Sequence, residues 1–300
     1  AGSASILSVG EQVRFTHQLL QEYFAAKYMD IEIQAGRLKA SDIWQPDRWW
    51  ERTNWEEATI LLAGLYSDDP TPVVNWLMEA QPEVAAQCIT RSGASKPPDD
   101  TLLKFRQHIP RMTDVQALPN PNSRAAIGRA LGQVRLRDGT PLDNRKGVSV
   151  QDGLPDIEWV TIPAGDYSYQ DSTKRLDYDF KISRYLVTYA QFQSFIDDPE
   201  GFSDSRWWQG FEMPEGHNDS AGDQRFKYWN HPRERVSWFD AMAFCRWFSW
   251  RLGGNYALEA IDEWKVRLPT EFEWEKAARG KIGWQYPYGD EFDASKGNTR

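Results

Sequence analysis

The sequence predicts an α+β protein, with a helical array in its first half and a mixed, strand-containing domain in its second. Apolar residues at helical spacing, separated by proline and glycine clusters, dominate the first half. Strand-like runs at 158–162 and 180–187 alternate with capped helices in the second half. Because 300 residues suit two domains, we predict a flexible lead-in at 1–12, a helical domain at 13–137, a linker at 138–153 and a second domain at 154–300.

The first predicted helix lies near the N-terminus. Its large apolar residues recur at spacings of four and five, which places them on one helical face that we expect to be buried. They are Phe15, Leu19, Leu20, Tyr23, Phe24 and Tyr28. His17 lies on the same segment. A single histidine on a packed helix is more often structural than catalytic, so we assign it a structural role.

Capping residues and prolines mark the helices that follow. Asn54 with Glu57 resembles a capping box for a helix at 55–66, and Thr71 with Pro72 begins a helix at 73–80. Further helical windows lie at 82–89, 102–108 and 124–131. The arginine-rich stretch 124–145 fits either an acidic partner or a solvated face, and its interleaved alanine, leucine and glycine favour the solvated face.

Three helix starts stand out in the second domain. In each, a serine or threonine is followed three residues later by a polar side chain, which is typical of a capping box. The pairs are Thr188 with Gln191, Ser237 with Asp240, and Thr270 with Glu273. We expect the buried sides of these helices to contain Phe192, Phe195 and Ile196, then Ala241, Phe244, Cys245, Phe248 and Leu252, then Trp274, Ala277 and Ala278.

Aromatic residues are concentrated in the irregular stretch 197–235. So many rings in a loop must either be buried or form an exposed apolar patch, and such a patch often marks a binding surface. We therefore predict that a ligand binds near four tryptophans of the second domain, Trp207, Trp208, Trp229 and Trp284.

Charge and cysteine content exclude some classes of partner and some kinds of site. Residues 151–300 carry 26 acidic and 18 basic residues, so nearly all of the net charge of −9 lies there, which disfavours nucleic acid as a partner. Cys88 and Cys245 lie in different halves, so neither domain can form an internal disulfide or a cysteine metal cage. This usage fits a cytoplasmic location. No run of about 18 apolar residues and no signal-like leader occurs, so we predict no membrane partner.

Several spaced motifs of the second domain occur together, in the order in which one known family has them. They are WVxIPAG from Trp159, VSWxDAxAxCxW from Val236, RLPTExEWExAARG from Arg267, YPYG from Tyr286 and GNT from Gly297. With these motifs the domain resembles the formylglycine-generating enzyme, or sulfatase-modifying factor, family. The resemblance implies a C-type-lectin-like fold, with two helices against a twisted antiparallel sheet. Strands after the YPYG turn would complete that sheet.

The same resemblance implies a chemistry. In the family, a cysteine pair near the end of the domain binds copper and oxidises a substrate cysteine to formylglycine, and such a pair would lie beyond Arg300. Cys245 matches a family position outside the catalytic pair, and Ala278 stands where animal members have its structural disulfide partner. We therefore expect Cys245 to be a small core residue. We also expect no catalytic residue and no enzymatic activity in this chain.

Acidic residues raise two further site hypotheses. The three alternate glutamates at 271–275 point in different directions on a helix, so capping and dipole roles are favoured over acid-base or metal chemistry. The resemblance implies calcium ligands from the side chain of Asn298 and the carbonyl of Thr299, and the nearby acidic run 290–293 could add oxygen ligands. Since the other family ligands come later in the chain, we expect this calcium site to be weak or empty. No other cofactor is predicted.

The first half has a resemblance of its own. Segments 13–26 and 55–65 are similar to the helical tail behind the nucleotide-binding core of NACHT-type NTPases. No Gly-x-x-x-x-Gly-Lys-Ser/Thr loop occurs in the sequence, so an NTPase domain would lie upstream of Ala1. A NACHT-like segment fused to this second domain resembles the variable proteins of diversity-generating retroelements, in which the end of the domain contacts the ligand.

Three functions are compatible with these observations. We favour a non-catalytic module that binds a protein or small ligand through its C-terminal lectin-like surface. The alternatives are a formylglycine-generating oxidase whose catalytic cysteines lie beyond Arg300, and a structural scaffold in a signalling or conflict-system protein. An unpaired sheet edge would also favour self-association.

Overall fold

The computed structural model describes residues 7–9, 13–15, 17–213, 216–217, 220–253, 265–294 and 296. The chain divides into two compact units, Ala1–Leu142 and Asp143–Arg300. Helices dominate the first unit, and helices combine with small antiparallel sheets in the second, which confirms the α+β class. Within these described ranges, no helix is both long enough and apolar enough to cross a membrane.

The first unit begins with a short antiparallel ribbon, in which β1 (Leu7–Val9) pairs with β2 (Val13–Phe15). Its helices are α1 (Gln18–Gln34), α2 (Ala40–Ile43), α3 (Glu56–Leu65), α4 (Thr71–Met78), α5 (Pro82–Arg91), α6 (Asp99–Leu103), α7 (Ile109–Thr113) and α8 (Pro121–Gln133). A 3-10 helix, Lys104–His108, joins α6 to α7. Every helical window predicted from the sequence therefore contains helix, with shifted boundaries.

Prolines and caps explain these boundaries. Proline occupies the first turn of α4, α5 and α8, where its missing N–H would have no partner in any case. The capping box predicted at Asn54 and Glu57 is not formed, because the N-cap of α3 is Trp55, whose side chain makes no cap hydrogen bond; Thr53 and Glu56 form a turn there instead. Glu56 Oε1 accepts a hydrogen bond from the Thr53 N–H at 2.6 Å, and Thr53 Oγ1 accepts one from the Trp55 N–H at 3.1 Å.

The predicted buried face of the first helix is wrong. Phe15 belongs to β2, and α1 packs instead through Ala26 and Met29, whose Sδ lies 3.9 Å from the Thr59 hydroxyl of α3. Ala26 suits this side because a small residue lets two helices approach closely, and the flexible Met29 side chain fills the remaining space. His17 has the expected structural role as the N-cap of α1, because its Nδ1 accepts a hydrogen bond from the Leu19 N–H. The members of the predicted face that are exposed are Leu19, Tyr23, Phe24 and Tyr28.

Arginines between 124 and 137 hold the first unit together, which differs from the solvated face that we predicted. Arg124 donates to two carbonyl oxygens of the loop before α8, at 2.6 and 2.8 Å. Arg129 pairs with Glu83 of α5 at 2.6 Å. Arg137 donates to the carbonyl oxygen of Lys96 at 2.8 Å. Charge-assisted hydrogen bonds of this kind fix loops that have few apolar residues of their own.

Among its described residues, the second unit has three antiparallel ribbons, β3 with β4, β5 with β8, and β6 with β7. Their bounds are β3 (Val150–Gln151), β4 (Leu154–Pro155), β5 (Trp159–Ile162), β6 (Gly165–Tyr169), β7 (Ser172–Leu176) and β8 (Phe180–Ser183). The predicted strands at 158–162 and 180–187 are confirmed, although the second ends earlier. Pro163 lacks an N–H and follows β5 directly. The described strands do not join into one twisted sheet, so the lectin-like arrangement stays a prediction.

Three α-helices of the second unit carry the predicted capping boxes. They are α9 (Tyr189–Asp197), α10 (Trp238–Arg251) and α11 (Glu271–Arg279), capped by Thr188, Ser237 and Thr270. Together with a 3-10 helix, Ser205–Trp208, α9 and α10 enclose the core of the unit. Its buried residues are Phe192, Phe195, Phe202, Trp207, Trp208, Ala243, Phe244, Cys245, Trp247 and Phe248.

Two side chains expected to point inward do not. Leu252 is 40% exposed and Trp274 is 61% exposed. α11 buries Glu273 and Lys276 instead. The Lys276 ammonium donates to two backbone carbonyls, those of Pro163 at 2.6 Å and Gly165 at 3.1 Å. A polar side chain can therefore face inward on α11 because the turn between β5 and β6 supplies its hydrogen-bond acceptors.

Candidate functional site

A buried amide fixes the chain that leads into the site. Gln191, at the start of α9, is fully buried. Its Nε2 donates towards the carbonyl oxygens of Gly147, Ser149 and Asp156, at 3.2, 3.2 and 2.7 Å. Its Oε1 accepts from the Thr188 N–H at 3.0 Å. One side chain thus holds the linker segment against α9 and determines where β5 begins.

A cleft of about 1370 Å³ opens beside β5 and β8. We call it the β5–β8 cleft. Its walls are largely apolar and come from the ribbon, from α10 and from the segment before α11. They include Trp159, Phe180, Ile182, Leu186, Val187, Phe244, Cys245, Phe248, Val266 and Leu268. This volume exceeds that of most small-molecule sites, so the cleft can admit a ligand of considerable size.

Charged side chains are distributed along these walls. Four are cationic and two are anionic, so the lining is positive within a chain whose net charge is −9. The cations are Lys181, Arg233, Lys265 and Arg267, and the anions are Asp179 and Glu273. The cleft is therefore suited to a ligand that is apolar in part and carries negative charge.

An ion pair anchors one end of the cleft. Glu273 is buried, with Arg267 donating to both of its carboxylate oxygens at 2.7 and 2.5 Å and the Thr270 N–H donating at 2.8 Å. Burial by itself would raise the pKa of Glu273, but the hydrogen bonds from Arg267 and Thr270 lower it to about 2. Glu273 is thus a structural anion that fixes the start of α11, as predicted, and is unsuited to general-base work near neutral pH.

Arg233 is held in the cleft wall by rings and carbonyls. Its guanidinium carbon lies 5.2 Å from the centroid of Phe192 and 5.8 Å from that of Tyr189. It donates to the Gly222 carbonyl and to Gln224 Oε1, while its buried Nε has no hydrogen-bond partner among the described residues. Burial lowers the pKa of Arg233. One N–H of this guanidinium is therefore left without a hydrogen-bond partner among the described residues, while the residue adds positive charge to the cleft wall.

The two cysteines do not form a redox pair. Cys245 lies in the cleft wall, only 6% exposed, and burial raises its pKa to about 12. Cys88 belongs to the core of the first unit, and burial raises its pKa as well. Both thiols are protonated at neutral pH, and a protonated thiol is a poor nucleophile and metal ligand. Cys245 is a core residue, as predicted.

Metal ligands do not cluster in the part of the chain that the structure describes. No group of three or more His, Cys, Asp or Glu side chains there could hold a metal ion. Asp290 accepts a hydrogen bond from the Gln285 N–H, and Asp293 lies 3.7 Å from the Lys296 ammonium. The predicted calcium ligands Asn298 and Thr299 lie outside the described residues, so calcium binding stays a prediction.

The four candidate tryptophans lie in three neighbourhoods. Trp207 and Trp208 are buried in the aromatic core. Trp229 stacks on Tyr189, with 4.7 Å between ring centroids, and Trp284 is 38% exposed. The residues lining the β5–β8 cleft are different ones. Sequence reasoning missed the cleft because alternation along β8 shows which residues share a face but not whether a neighbour covers that face.

Residues 148–300 match the family profile of the sulfatase-modifying factor enzyme 1-like domain, which covers half of the chain. The chain belongs to this family. This confirms the resemblance drawn from the spaced motifs. The resemblances of the first half to NACHT-type tails, and of the whole to variable proteins of diversity-generating retroelements, stay predictions.

Several relatives of the chain are named as enzymes, and one from Bos taurus, 40% identical over 68 residues and covering 22% of this chain and 17% of that protein, is named as an inactive C-alpha-formylglycine-generating enzyme 2. The hercynine oxygenase of Mycobacterium tuberculosis is 32% identical over 135 residues, covering 37% of this chain and 27% of that protein. The formylglycine-generating enzyme of Thermomonospora curvata is 30% identical over 145 residues, covering 37% and 41%. That of Streptomyces coelicolor is 30% identical over 215 residues, covering 58% of each chain.

These relatives correct the expectation that the chain has no enzymatic role. That expectation rested on the missing cysteine pair, yet the relatives that the chain matches include hercynine oxygenases and formylglycine-generating enzymes. The chain spans only between a quarter and somewhat over a third of the length of the hercynine oxygenases that it matches.

Proposed function

We propose that residues 148–300 form the substrate-binding part of an oxidase or oxygenase of this family. The observation that carries the proposal is the β5–β8 cleft, a large apolar cleft with a positive lining inside the family-matched stretch. A concave apolar site with a few convergent polar groups is the usual form of a substrate site. This replaces the non-catalytic module as the favoured function, with ligand binding retained as its first step.

The described residues would bind and orient the substrate. Trp159, Phe244 and Phe248 offer apolar walls that displace water from a substrate's apolar part. Lys181 is exposed at the cleft, and Arg233 adds a second positive charge to its lining. Both favour a substrate bearing a carboxylate or a polarised carbonyl. Glu273 and Arg267 would keep the wall in place without taking part in proton transfer.

The redox group itself does not fit the described residues. The family resemblance implies copper on a pair of cysteine thiolates. Cys88 and Cys245 are each buried and protonated, and they belong to different units. We therefore assign no reaction step to either cysteine. Under this proposal, residues other than the described ones supply the redox centre, and the cleft supplies the substrate.

A binding assay tests the cleft independently of the redox centre. Hercynine and a Cys-x-Pro-x-Arg peptide, taken from the two enzyme types among the relatives, would each be titrated into the 300-residue chain by calorimetry. Lys181→Glu reverses a charge in the cleft and should weaken binding about tenfold or more. Lys227→Glu, which changes an equally exposed lysine outside the cleft lining, is the matched control and should leave the affinity unchanged.

An activity assay tests the enzymatic part of the proposal. The full-length protein, supplied with copper, should consume O₂ in the presence of one of the two probes. Mass spectrometry should show oxidation of that same probe. If neither probe binds and neither supports O₂ consumption, the assignment as an oxidase or oxygenase acting on these substrate classes is wrong.

A further inference from the structure

The side of α1 that faces away from the core is apolar. The packed side presents Ala26 and Met29 to the core of the first unit. On the opposite side, five large apolar side chains are between 39 and 60% exposed, namely Leu19, Tyr23, Phe24, Tyr28 and Ile31. A helix that is apolar on both sides is typical of one that packs between two neighbours.

The exposed residues form a continuous surface. At 3.6 residues per turn, Leu20, Phe24, Lys27 and Ile31 follow one another along its centre line. Tyr23 lies on one flank of that line and Tyr28 on the other. We call this surface the α1 outer face, and it consists of Leu19, Leu20, Tyr23, Phe24, Lys27, Tyr28 and Ile31.

The α1 outer face is large enough for a specific interface. Its five exposed apolar side chains leave roughly 500 Å² in water, since a fully exposed side chain of this size presents on the order of 200 Å². Two such faces would bury about 1000 Å² before their polar neighbours are counted, which is near the lower limit for specific protein interfaces. Residues 1–150 carry 17 basic and 18 acidic residues, so the half that contains α1 adds little to the charge repulsion between two copies.

The face is also complementary to itself. When two identical helices meet antiparallel about a two-fold axis, residue i meets residue j and j meets i. With the axis at the level between residues 25 and 26, Leu20 meets Ile31 and Phe24 meets Lys27 of the other copy, while Tyr23 and Tyr28 lie on opposite flanks and do not meet. The two centre-line pairs are an apolar pair and a cation–π pair, and symmetry forms each of them twice.

We propose that the protein forms a two-fold dimer through the α1 outer face, with the α1 helices antiparallel and the Phe24 ring of each copy against the Lys27 ammonium of the other. The occupant is a second copy of this chain because the area is sufficient and the centre-line residues are in register when the face meets itself. This interface lies on the first unit and is independent of the proposed substrate cleft.

A residue exchange tests the register. Phe24→Lys places two lysines opposite each other twice per dimer and should raise the dimer dissociation constant about tenfold or more. The double variant Phe24→Lys, Lys27→Phe restores the ring-to-ammonium pair by symmetry and should recover most of the lost affinity. Val115→Lys changes a similarly exposed apolar residue outside α1 and is the control. Sedimentation equilibrium of the full chain gives the dissociation constants, and circular dichroism checks folding.

Cross-linking provides a second measurement. A mixture of Leu20→Cys and Ile31→Cys chains should form a mixed disulfide dimer, because these positions meet. Ile31→Cys alone should not, since its two copies would lie about 16 Å apart along the helices. The native cysteines are buried and do not compete. A monomeric wild-type chain, a dimer unaffected by Phe24→Lys, or failure of the double variant to recover affinity would each overturn the proposal.

Discussion

The two units of the molecule bury their apolar residues in different ways. In the first unit, several helices contribute faces to one core, which includes Leu62, Leu77 and Leu131. In the second unit, the core is an aromatic cluster built on α9, α10 and the loop between them. The residues of β5 and β8 do not belong to that cluster, and Trp159 on β5 is 40% exposed.

The difference follows from how helices and strands satisfy their backbones. A helix forms its hydrogen bonds internally, so one apolar neighbour is enough to stabilise it. A strand needs partners along its edges and a cover over its apolar face. The first unit therefore fixes its helices with its own core, whereas the second retains an apolar cleft, which we propose is filled by a substrate.

The largest expected effect tests whether the two cores are separate. Phe195 is fully buried and contacts four aromatic rings, so Phe195→Ala should destabilise the second unit by about 3–5 kcal/mol. Leu77→Ala, also at a fully buried position, should destabilise the first unit by about 2–5 kcal/mol. In urea unfolding followed by hydrogen exchange, each variant should lower protection in its own unit.

The exposed Trp274 provides the control for this experiment. Because its side chain is 61% exposed, Trp274→Ala should change the unfolding free energy by no more than about 0.5 kcal/mol. Equal loss of protection in both units on either core substitution would show that the two cores unfold together, and the comparison between them would fail.

A smaller effect concerns the ion pair at the cleft. Because hydrogen bonds from Arg267 hold the pKa of Glu273 at about 2, below its ordinary value of 4.5, the charged form stabilises the folded state. That contribution is complete above about pH 4.5 and is lost as the pH falls through 2, and it is on the order of 3 kcal/mol. Glu273→Gln should remove it at neutral pH and flatten the acid dependence of unfolding.

The corresponding control is Glu57→Gln in the first unit. Glu57 pairs with Arg91 at 2.8 Å, but both side chains are about half exposed, so solvent screens the pair and its loss should cost no more than about 1 kcal/mol. Thermal unfolding between pH 2 and 7 measures both variants. An unchanged acid profile for Glu273→Gln would contradict the role assigned to this carboxylate.

The smallest expected effect distinguishes the contributions of Thr53 and Asn54 to the stability of α3. Thr53→Ala removes the hydroxyl that accepts from the Trp55 N–H in the turn before α3 and should destabilise the start of α3 by about 1 kcal/mol, the net worth of one hydrogen bond. Asn54→Ala changes the cap predicted from the sequence and should have almost no effect on the free energy of unfolding. The reverse order in chemical denaturation would show that the sequence pattern, not the observed hydrogen bond, identifies the cap.

Elements that depend on neighbouring residues in the chain could be predicted. The boxes at Thr188, Ser237 and Thr270 were found because a cap is a hydrogen bond between side chain and backbone within one turn. The hairpin of β6 and β7 was missed because its strands are mostly polar and show weak alternation. The exposure of Trp274 was also not predicted, because the burial of a residue on α11 depends on which elements pack against that helix.

The sequence by itself determined the α+β class, the capped starts of α9, α10 and α11, and the family. Each cap is a hydrogen bond within one helical turn, and the family motifs follow one another in a fixed order along the chain. Tertiary structure decided which face of α1 is buried, since Ala26 and the Leu19 side of the helix are both apolar and only the position of α3 distinguishes them. It also decided that Lys181 and Arg233 share a cleft with Phe244. These residues are distant in sequence, and the pairing of β5 with β8 and the packing of α10 bring them together.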